Sequence, residues 1–187
     1  IKPFGSKIHL SERVQEIKED KGFWVIKTNN NKTFTTPNII IAGGVGSFEP
    51  RKLPLKELTK FEGKSVFYSV TDKNLFKNKK ISIFGGGDSA LDWALEFSKY
   101  SKVTLIHRRN EFRGAPHPLK ELEKLKAEGK ITIKTPFQID SINEGKEIKF
   151  INIKNDDEKT EKIETDIILG FFGLIMQLGP IAEWGLN

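Results

Sequence analysis

Residues 81–90 read Ile81-Ser82-Ile83-Phe84-Gly85-Gly86-Gly87-Asp88-Ser89-Ala90. The apolar first half predicts a short buried strand, and the helical spacing of the apolar residues from Ala90 to Phe97 predicts a helix directly after the glycines. In such a unit Gly85 permits the tight turn, Gly87 lets the backbone approach a pyrophosphate, and Ala90 allows close packing of helix on strand. We therefore expect a dinucleotide site whose phosphates lie at the helix N-terminus.

The start of this helix supplies further candidate contacts. Asp88 and Ser89 are short polar residues of the kind that satisfy backbone N–H groups where a helix begins. We expect them to contact the cofactor as well. The predicted cofactor-binding set in this stretch is Gly85, Gly86, Gly87, Asp88, Ser89 and Ala90.

A basic signature follows about 20 residues after the glycines. Val103–Ile106 predicts the next parallel strand, and behind it comes His107-Arg108-Arg109-Asn110-Glu111-Phe112-Arg113. An NAD site carries a carboxylate at this position, whereas guanidinium groups match the oxygens of a 2′-phosphate. We therefore predict NADP; the alternative for each arginine is a solvated loop position. The residues assigned to this part of the site are His107, Arg108, Arg109 and Arg113.

Composition excludes several classes of function. The 187 residues carry a net charge of +6, but 31 basic residues are interspersed with 25 acidic ones and form no nucleic-acid-binding arm. The absence of cysteine excludes disulfides and thiolate catalysis, and three scattered histidines offer no metal site. Without a long apolar run or a signal-like N-terminus, we expect a soluble, cytoplasmic protein. The chain begins with Ile1 and both ends resemble the middle of a domain, so we expect a segment of a larger enzyme.

The first part of the chain predicts mostly extended structure. Ile8 to Ile17 predicts an extended segment, and Gly22–Thr28 with Lys32–Thr35 predicts a hairpin. Asn38–Gly44 predicts a buried strand that ends in glycines, which would bring its backbone close to something flat or charged.

The rest of the chain predicts a parallel sheet followed by a meander. Ser65–Val70 is predicted to be extended, His117 and Pro118 open a helix that Gly129 stops, and Ile131–Thr135 predicts a third parallel strand. Between residues 137 and 170 the pattern predicts an antiparallel meander. Its predicted strands are 138–143, 146–154 and 162–169. The fold class predicted is α/β, a Rossmann-like three-layer dinucleotide-binding domain with partial segments of a second domain.

Two signatures, Phe84–Ala90 and His107–Arg113, resemble those of the thioredoxin reductase family of flavoproteins, and within it the bacterial thioredoxin-reductase-like ferredoxin-NADP reductases. In that family an NADPH domain is inserted into an FAD domain. The resemblance covers essentially the whole chain. It implies a partial FAD-binding domain at 1–63, an NADPH-binding domain at 64–172 and a returning FAD-binding segment from 173 to 187.

The resemblance also implies a flavin contact in the first of these parts. Ala42, Gly43 and Gly44, at the end of the predicted strand, would approach FAD in the assembled enzyme. The alternative is a strand end that turns for packing alone.

The chain departs from thioredoxin reductases at their redox motif, because Tyr68-Ser69-Val70-Thr71 stands where the family has Cys-x-x-Cys. Flavin electrons must then leave to an external acceptor, which the resemblance implies is ferredoxin or a flavodoxin-like carrier. The complete enzyme would use FAD and NADP, form a homodimer and react at the flavin ring, so we assign no catalytic side chain and no metal. We expect this segment alone to bind NADP without turnover, since the glycine-rich FAD fingerprint should lie upstream of Ile1.

Two other interpretations stay open. A related NADPH-dependent flavoprotein could pass electrons to another acceptor, such as a disulfide or a quinone, through a redox group outside these residues. A non-catalytic module would bind NADP and lack flavin. We expect neither nucleic acid nor membrane as a partner.

Overall fold

The computed structural model describes residues 2–44, 47–143 and 145–185. The chain divides into two compact units. The smaller unit comprises Ile1–Glu49 with Ile175–Asn187, and the larger unit comprises Pro50–Leu174.

The helices and strands are as follows in chain order. The strands are β1 Val14–Asp20, β2 Phe23–Thr28, β3 Thr33–Thr36, β4 Ser47–Pro50, β5 Val66–Phe67, β6 Lys80–Gly85, β7 Lys102–Ile106, β8 Ile131–Lys134, β9 Gln138–Ile142, β10 Phe150–Lys154, β11 Thr160–Glu164, β12 Ile167–Phe171 and β13 Leu174–Gln177. The α-helices are α1 Asp88–Phe97 and α2 Pro116–Ala127. Short 3-10 helices occur at Lys2–Phe4, Lys56–Phe61, Lys73–Phe76 and Gly179–Glu183.

The larger unit is built on a sheet in the order β5-β12-β6-β7-β8, with every adjacent pair parallel. Its register places Ile83 on β6 between Leu105 on β7 and Leu169 on β12, and all three side chains are fully buried. Helices α1 and α2 pack on one face, and the antiparallel sheet β9-β10-β11 packs on the other. Such double coverage is what a parallel sheet requires. The predicted three-layer α/β fold is confirmed.

Most of the elements predicted in the larger unit are present. β7 and β8 continue the parallel sheet, and α1 begins directly after the glycines. Helix α2 begins at Pro116, slightly before the predicted start, because proline suits the first helical position. Gly129 follows its end with φ of +69°, the left-handed conformation that glycine adopts without strain.

The last predicted strand of the meander was wrong, because the run from 162 to 169 is two strands. β11 ends the antiparallel sheet, whereas β12 lies in the middle of the parallel sheet. The break falls at Thr165, whose buried hydroxyl donates to the Ile167 carbonyl at 3.0 Å. Residues 167–169 are buried on both faces, and only a central strand offers that environment.

The smaller unit contains the antiparallel sheet β1-β2-β3, and β4 pairs with β13. The predicted hairpin is confirmed as β2 and β3. The predicted segment from Ile8 to Ile17 was only partly right, because the strand begins at Val14 after a turn at residues 10 and 11. That turn places Ser11 at φ of +59°, which extended backbone does not allow.

The predicted buried strand at 38–44 was wrong. Residues 38–43 have no regular structure, and Ile40 and Ile41 are 93% and 44% exposed. A buried strand needs a hydrogen-bonded neighbour on each edge. Among residues 2–44, 47–143 and 145–185, none pairs with this segment in a sheet.

Packing divides the chain at residues 49/50 and 174/175, whereas the expected domain boundaries are 63 and 172. Leu53, Leu58 and Phe61 are buried in the core of the larger unit, together with Val66 and residues of the antiparallel sheet. The stretch from 50 to 63 therefore packs with the larger unit. The assignment of the two units to FAD and NADPH stays a prediction.

Candidate functional site

The glycine turn, Gly85–Gly87, connects the central strand β6 to α1. Gly87 is the N-cap of α1, with extended backbone and no side chain to cap the helix. Its carbonyl accepts hydrogen bonds from the N–H groups of Ala90 and Leu91. The N–H groups of the preceding first-turn residues have no helix carbonyl ahead of them. This helix start therefore presents backbone donors and a partial positive charge to an anion.

The three glycines differ in what surrounds them. A Cβ atom on Gly85 would lie 2.7 Å from the Phe171 carbonyl oxygen and 2.8 Å from Cβ of Ala90. A Cβ atom on Gly86 would overlap the imidazole ring of His107. A Cβ atom on Gly87 would meet nothing within 4 Å. The protein's own packing thus requires glycine at the first two positions, whereas open space at Gly87 is available to a ligand.

The arginine loop, residues 107–115, is attached to the glycine turn and to the start of α1 by hydrogen bonds from its backbone N–H groups. The N–H of Arg113 donates to the carbonyl of Gly86 at 2.7 Å. The N–H of Ala115 donates to Oδ1 of Asp88 at 2.8 Å. These bonds join two parts of the chain that the sequence signatures identified separately.

Asp88 lies at the start of α1 and satisfies a backbone N–H group, as expected, but the donor lies outside its own helix. Its carboxylate accepts from Ala115 on the arginine loop instead. Capping belongs to the N-cap position, which is Gly87, and Asp88 lies one residue inside the helix. Ser89 is exposed beside it, and Ala90 is fully buried against β6 as the packing argument predicted.

A cleft of about 300 Å³ lies between the glycine turn and the arginine loop. It is lined by Gly85, Gly86, Gly87, His107, Arg108, Arg109, Arg113, Phe171, Phe172 and Gly173. The three arginines are exposed, and the described residues that line this cleft include no carboxylate. The cleft is therefore positive and suits an anionic ligand.

His107 is a partly buried member of the arginine loop. Its ring stacks on Phe112 with centroids 5.2 Å apart, and Nε2 is buried without a hydrogen-bond partner. Burial lowers the pKa of this imidazole, a hydrogen bond with the backbone of Glu111 partly opposes that effect, and the nearby charges of Arg109, Arg108 and Arg113 lower the pKa further. The ring is therefore neutral at neutral pH.

A second cleft, of about 420 Å³, also borders the helix start. It shares Gly87, Phe171 and Gly173 with the first cleft. Its other lining residues are Pro50, Tyr68, Ser69, Val70, Asp88, Ser89, Trp93, Gly170 and Leu174. Three of the four positions that match the redox motif of thioredoxin reductases therefore face this cleft.

Tyr68 has a structural role in this second cleft. Its hydroxyl accepts a hydrogen bond from the N–H of Leu53 at 3.4 Å, and burial raises the pKa of the phenol. A Cβ on Gly170 would lie 3.0 Å from the Tyr68 ring, so a side chain there would fit only if the ring moved by a few tenths of an ångström. Tyr68 thus packs β5 against β12.

Ala42, Gly43 and Gly44, the predicted flavin contacts, belong to the smaller unit and are exposed. A Cβ on Gly43 would lie 2.9 Å from Cδ1 of Ile181, and Gly44 has φ of +60° with open space around it. The ten residues predicted around NADP all belong to the larger unit, whereas these three belong to the smaller unit.

Sequence reasoning missed the residues that β12 and the end of the arginine loop bring to the site. A Cβ on Gly85 would lie 2.7 Å from the Phe171 carbonyl oxygen, and a Cβ on Gly114 would overlap Leu91 of α1. Gly114 could have been identified from the sequence, because it directly follows the basic signature. No local signal identifies Phe171, because its neighbour β6 is about 85 residues away in sequence.

Two features are absent from the part of the chain that the structure describes. No group of three or more histidine, cysteine, aspartate or glutamate side chains in residues 2–44, 47–143 and 145–185 could hold a metal ion. No helix in that part of the chain has the length and apolar character needed to span a bilayer.

Known proteins that resemble this chain over nearly its whole length agree with a dinucleotide site at the glycine turn and the arginine loop. The family model described as pyridine nucleotide-disulphide oxidoreductase matches residues 1–186. The chain belongs to this family. It is therefore related to oxidoreductases that typically use FAD and a pyridine nucleotide.

Among curated proteins, the chain is similar to ferredoxin-NADP reductases. It is 57% identical to that of Pelagibacter ubique over 187 residues, which is 100% of this chain and 55% of the relative. It is 42% identical to that of Rickettsia canadensis, covering 99% of this chain and 56% of the relative. The chain thus spans about half the length of these relatives.

Solved structures with the same fold include thioredoxin reductases. That of Lactococcus lactis has a TM-score of 0.77 at 26% identity, covering 94% of this chain and 57% of the other. That of T. acidophilum has a TM-score of 0.78 at 27% identity, covering 97% and 58%. The resemblance to thioredoxin-reductase-like proteins is confirmed.

Proposed function

We propose that this chain is a segment of an FAD-dependent ferredoxin-NADP reductase, which exchanges hydride between NADPH and FAD and electrons with ferredoxin. The observation that carries the proposal is the positive cleft between Gly87 and the arginine loop. Similarity to two curated ferredoxin-NADP reductases supports it.

The residues of the larger unit fit NADP. The N-terminus of α1 and the open space at Gly87 would hold the pyrophosphate. Arg108, Arg109 and Arg113 would hold the 2′-phosphate, because planar guanidinium groups form paired hydrogen bonds with phosphate oxygens. The second cleft, which begins at the same glycine, would take the nicotinamide half.

The chain also constrains where the electrons go. When bound, NADPH supplies a hydride, and a flavin can accept it and release electrons singly. No cysteine is present at any of the 187 positions, so this segment offers no dithiol to receive them. An external one-electron carrier such as ferredoxin or flavodoxin is the acceptor that fits. Ala42, Gly43 and Gly44 would contact FAD through their exposed backbone.

The first test is a calorimetric titration of the 187-residue chain with NADP⁺ and with NAD⁺. We expect NADP⁺ to bind more tightly, and we expect the variant with both Arg108→Ala and Arg109→Ala to lose about tenfold to a hundredfold in NADP⁺ affinity alone. Arg13→Ala, an exposed arginine of the smaller unit, is the matched control and should change neither affinity. Equal binding of both nucleotides by the unmodified chain would refute the NADP assignment.

A second candidate is a disulfide reductase whose dithiol lies outside these residues. The thioredoxin reductase folds favour it, since the fold alone does not separate the two activities. The full-length protein should reduce ferredoxin or flavodoxin with NADPH and leave thioredoxin oxidised. Reduction of thioredoxin would favour the disulfide reductase, and NADP⁺ binding by a flavin-free full-length protein would favour a non-catalytic module.

A further inference from the structure

The contact between His107 and Gly86 joins the two halves of the NADP site. The imidazole fills the space where a side chain on Gly86 would lie. The carbonyl of the same glycine accepts the N–H of Arg113. Gly86 therefore contacts the first residue of the basic signature, His107, through packing and its last residue, Arg113, through a hydrogen bond.

The surroundings of the ring identify its role. Phe112 covers one face at 5.2 Å, and Nε2 has neither solvent nor a polar partner. A ring nitrogen that bound phosphate would need to donate a hydrogen bond into the cleft. Nε2 cannot do so because it is enclosed by protein, and the ring instead has a hydrogen bond with the backbone of Glu111, within the arginine loop. The ring acts as a filler of defined volume rather than as a ligand.

We propose that His107 is a positioning residue, which sets the selectivity for NADP over NAD by holding the arginine loop at a defined distance from the glycine turn. This inference rests on the proposed function, in which the arginines bind the 2′-phosphate. In this proposal His107 positions the arginine loop and does not itself contact the phosphate. Selectivity then depends on the volume at position 107 and not on its charge.

The first test uses an apolar side chain of similar volume. His107→Leu should keep the ratio of NADP⁺ to NAD⁺ affinity within about threefold, because Nε2 has no partner to lose and the bond of the ring with the Glu111 backbone lies within the loop, away from the ligand's phosphate. Between pH 6 and 8 the ratio should change with pH in the same way in His107→Leu and in the unmodified chain. A collapse of the ratio in His107→Leu, or a different pH profile, would overturn the proposal in favour of direct contact.

A rescue experiment tests the contact itself. Gly86→Ala pushes the loop away, so the affinity ratio should fall by about tenfold or more. Adding His107→Ala removes the overlap and should restore most of the ratio. An unchanged ratio in Gly86→Ala, or a double variant no better than Gly86→Ala, would contradict the inference. If Gly86→Ala does not fold, recovery of folding and of selectivity in the double variant gives the same answer.

The two proposals fail in different ways. If the unmodified chain does not prefer NADP⁺, or if the double arginine variant keeps the preference, the proposed function is wrong. If that preference is present and lost in the arginine variant but also lost in His107→Leu, only the positioning role is wrong.

Discussion

Two segments of this chain share one sequence pattern and have opposite structures. Residues 38–44 and residues 81–87 both consist of an apolar run that ends in glycines. The second is a fully buried parallel strand between β12 and β7, whereas the first has no regular structure and exposes Ile40 almost completely. Hydrophobic content alone therefore does not make a strand, because the ladder and the covering layers come from other parts of the chain.

The largest difference between the two segments should appear when a charge is introduced. Ile83→Asp places a carboxylate in the core and should cost more than about 4 kcal/mol, which would leave the larger unit unfolded. Ile40→Asp should change the free energy of unfolding by less than about 0.5 kcal/mol. Urea unfolding followed by circular dichroism measures both. Equal costs would mean that residues 38–44 are as buried as β6.

Alanine substitutions at the glycines that end the two segments should differ less in their cost to stability than the aspartate substitutions. Gly85→Ala forces a methyl group against the Phe171 carbonyl and Ala90, which should cost about 2 to 3 kcal/mol. Gly43→Ala meets only the end of the Ile181 side chain, which can rotate, and should cost less than about 1 kcal/mol. Thermal unfolding of the two variants provides the comparison. A costly Gly43→Ala would show that the smaller unit is packed as tightly as the site.

Within the glycine turn, a substitution at Gly87 should change nucleotide affinity without changing the stability of the fold. Gly87→Ala meets open space at an ordinary φ of −103°, so the unfolding midpoint should stay nearly unchanged. The methyl group should lower the affinities for NADP⁺ and NAD⁺ equally, by about tenfold, because both carry the pyrophosphate. Calorimetry with both nucleotides tests this. Unchanged binding would place the pyrophosphate elsewhere.

The smallest effect expected is a pH dependence from His107. Because the folded pKa lies below the ordinary value of 6.5, protonation favours the unfolded chain. The stability it contributes is complete above pH 6.5 and is lost as the pH falls below that value. We expect a shallow decrease in the unfolding midpoint from pH 7 to 5.5 that is weaker in His107→Leu. Equal slopes in the two proteins would show that the imidazole titrates freely.

The pH range in which His107 affects stability is separate from the range in which carboxylates with lowered pKa values do so. Lys73 and Lys99 lower the pKa of Glu96 to about 2. A carboxylate with a lowered pKa stabilises the fold above its ordinary value of 4.5, and that contribution is lost only as the pH falls from 4.5 toward 2.

Much of the larger unit could be predicted because its signals are local. The glycine spacing and the apolar run predicted β6 and α1, and the next apolar run predicted β7 before the basic signature. The prediction failed at residues 162–169, where two strands with different partners follow one another without a glycine or proline between them. It also failed at residues 38–44, where the partners that would make a strand are not among the described residues.

The sequence by itself determined the α/β class, the strand-turn-helix unit at residues 80–97 and the presence of three arginines behind the second parallel strand. These follow from residue size, glycine spacing and hydrophobic periodicity over short distances. Only the tertiary structure decided that His107 packs on Gly86, that Asp88 accepts from Ala115 and that Gly87 faces open space. Those facts depend on which distant parts of the chain are in contact, and the packing of neighbouring layers determines these contacts.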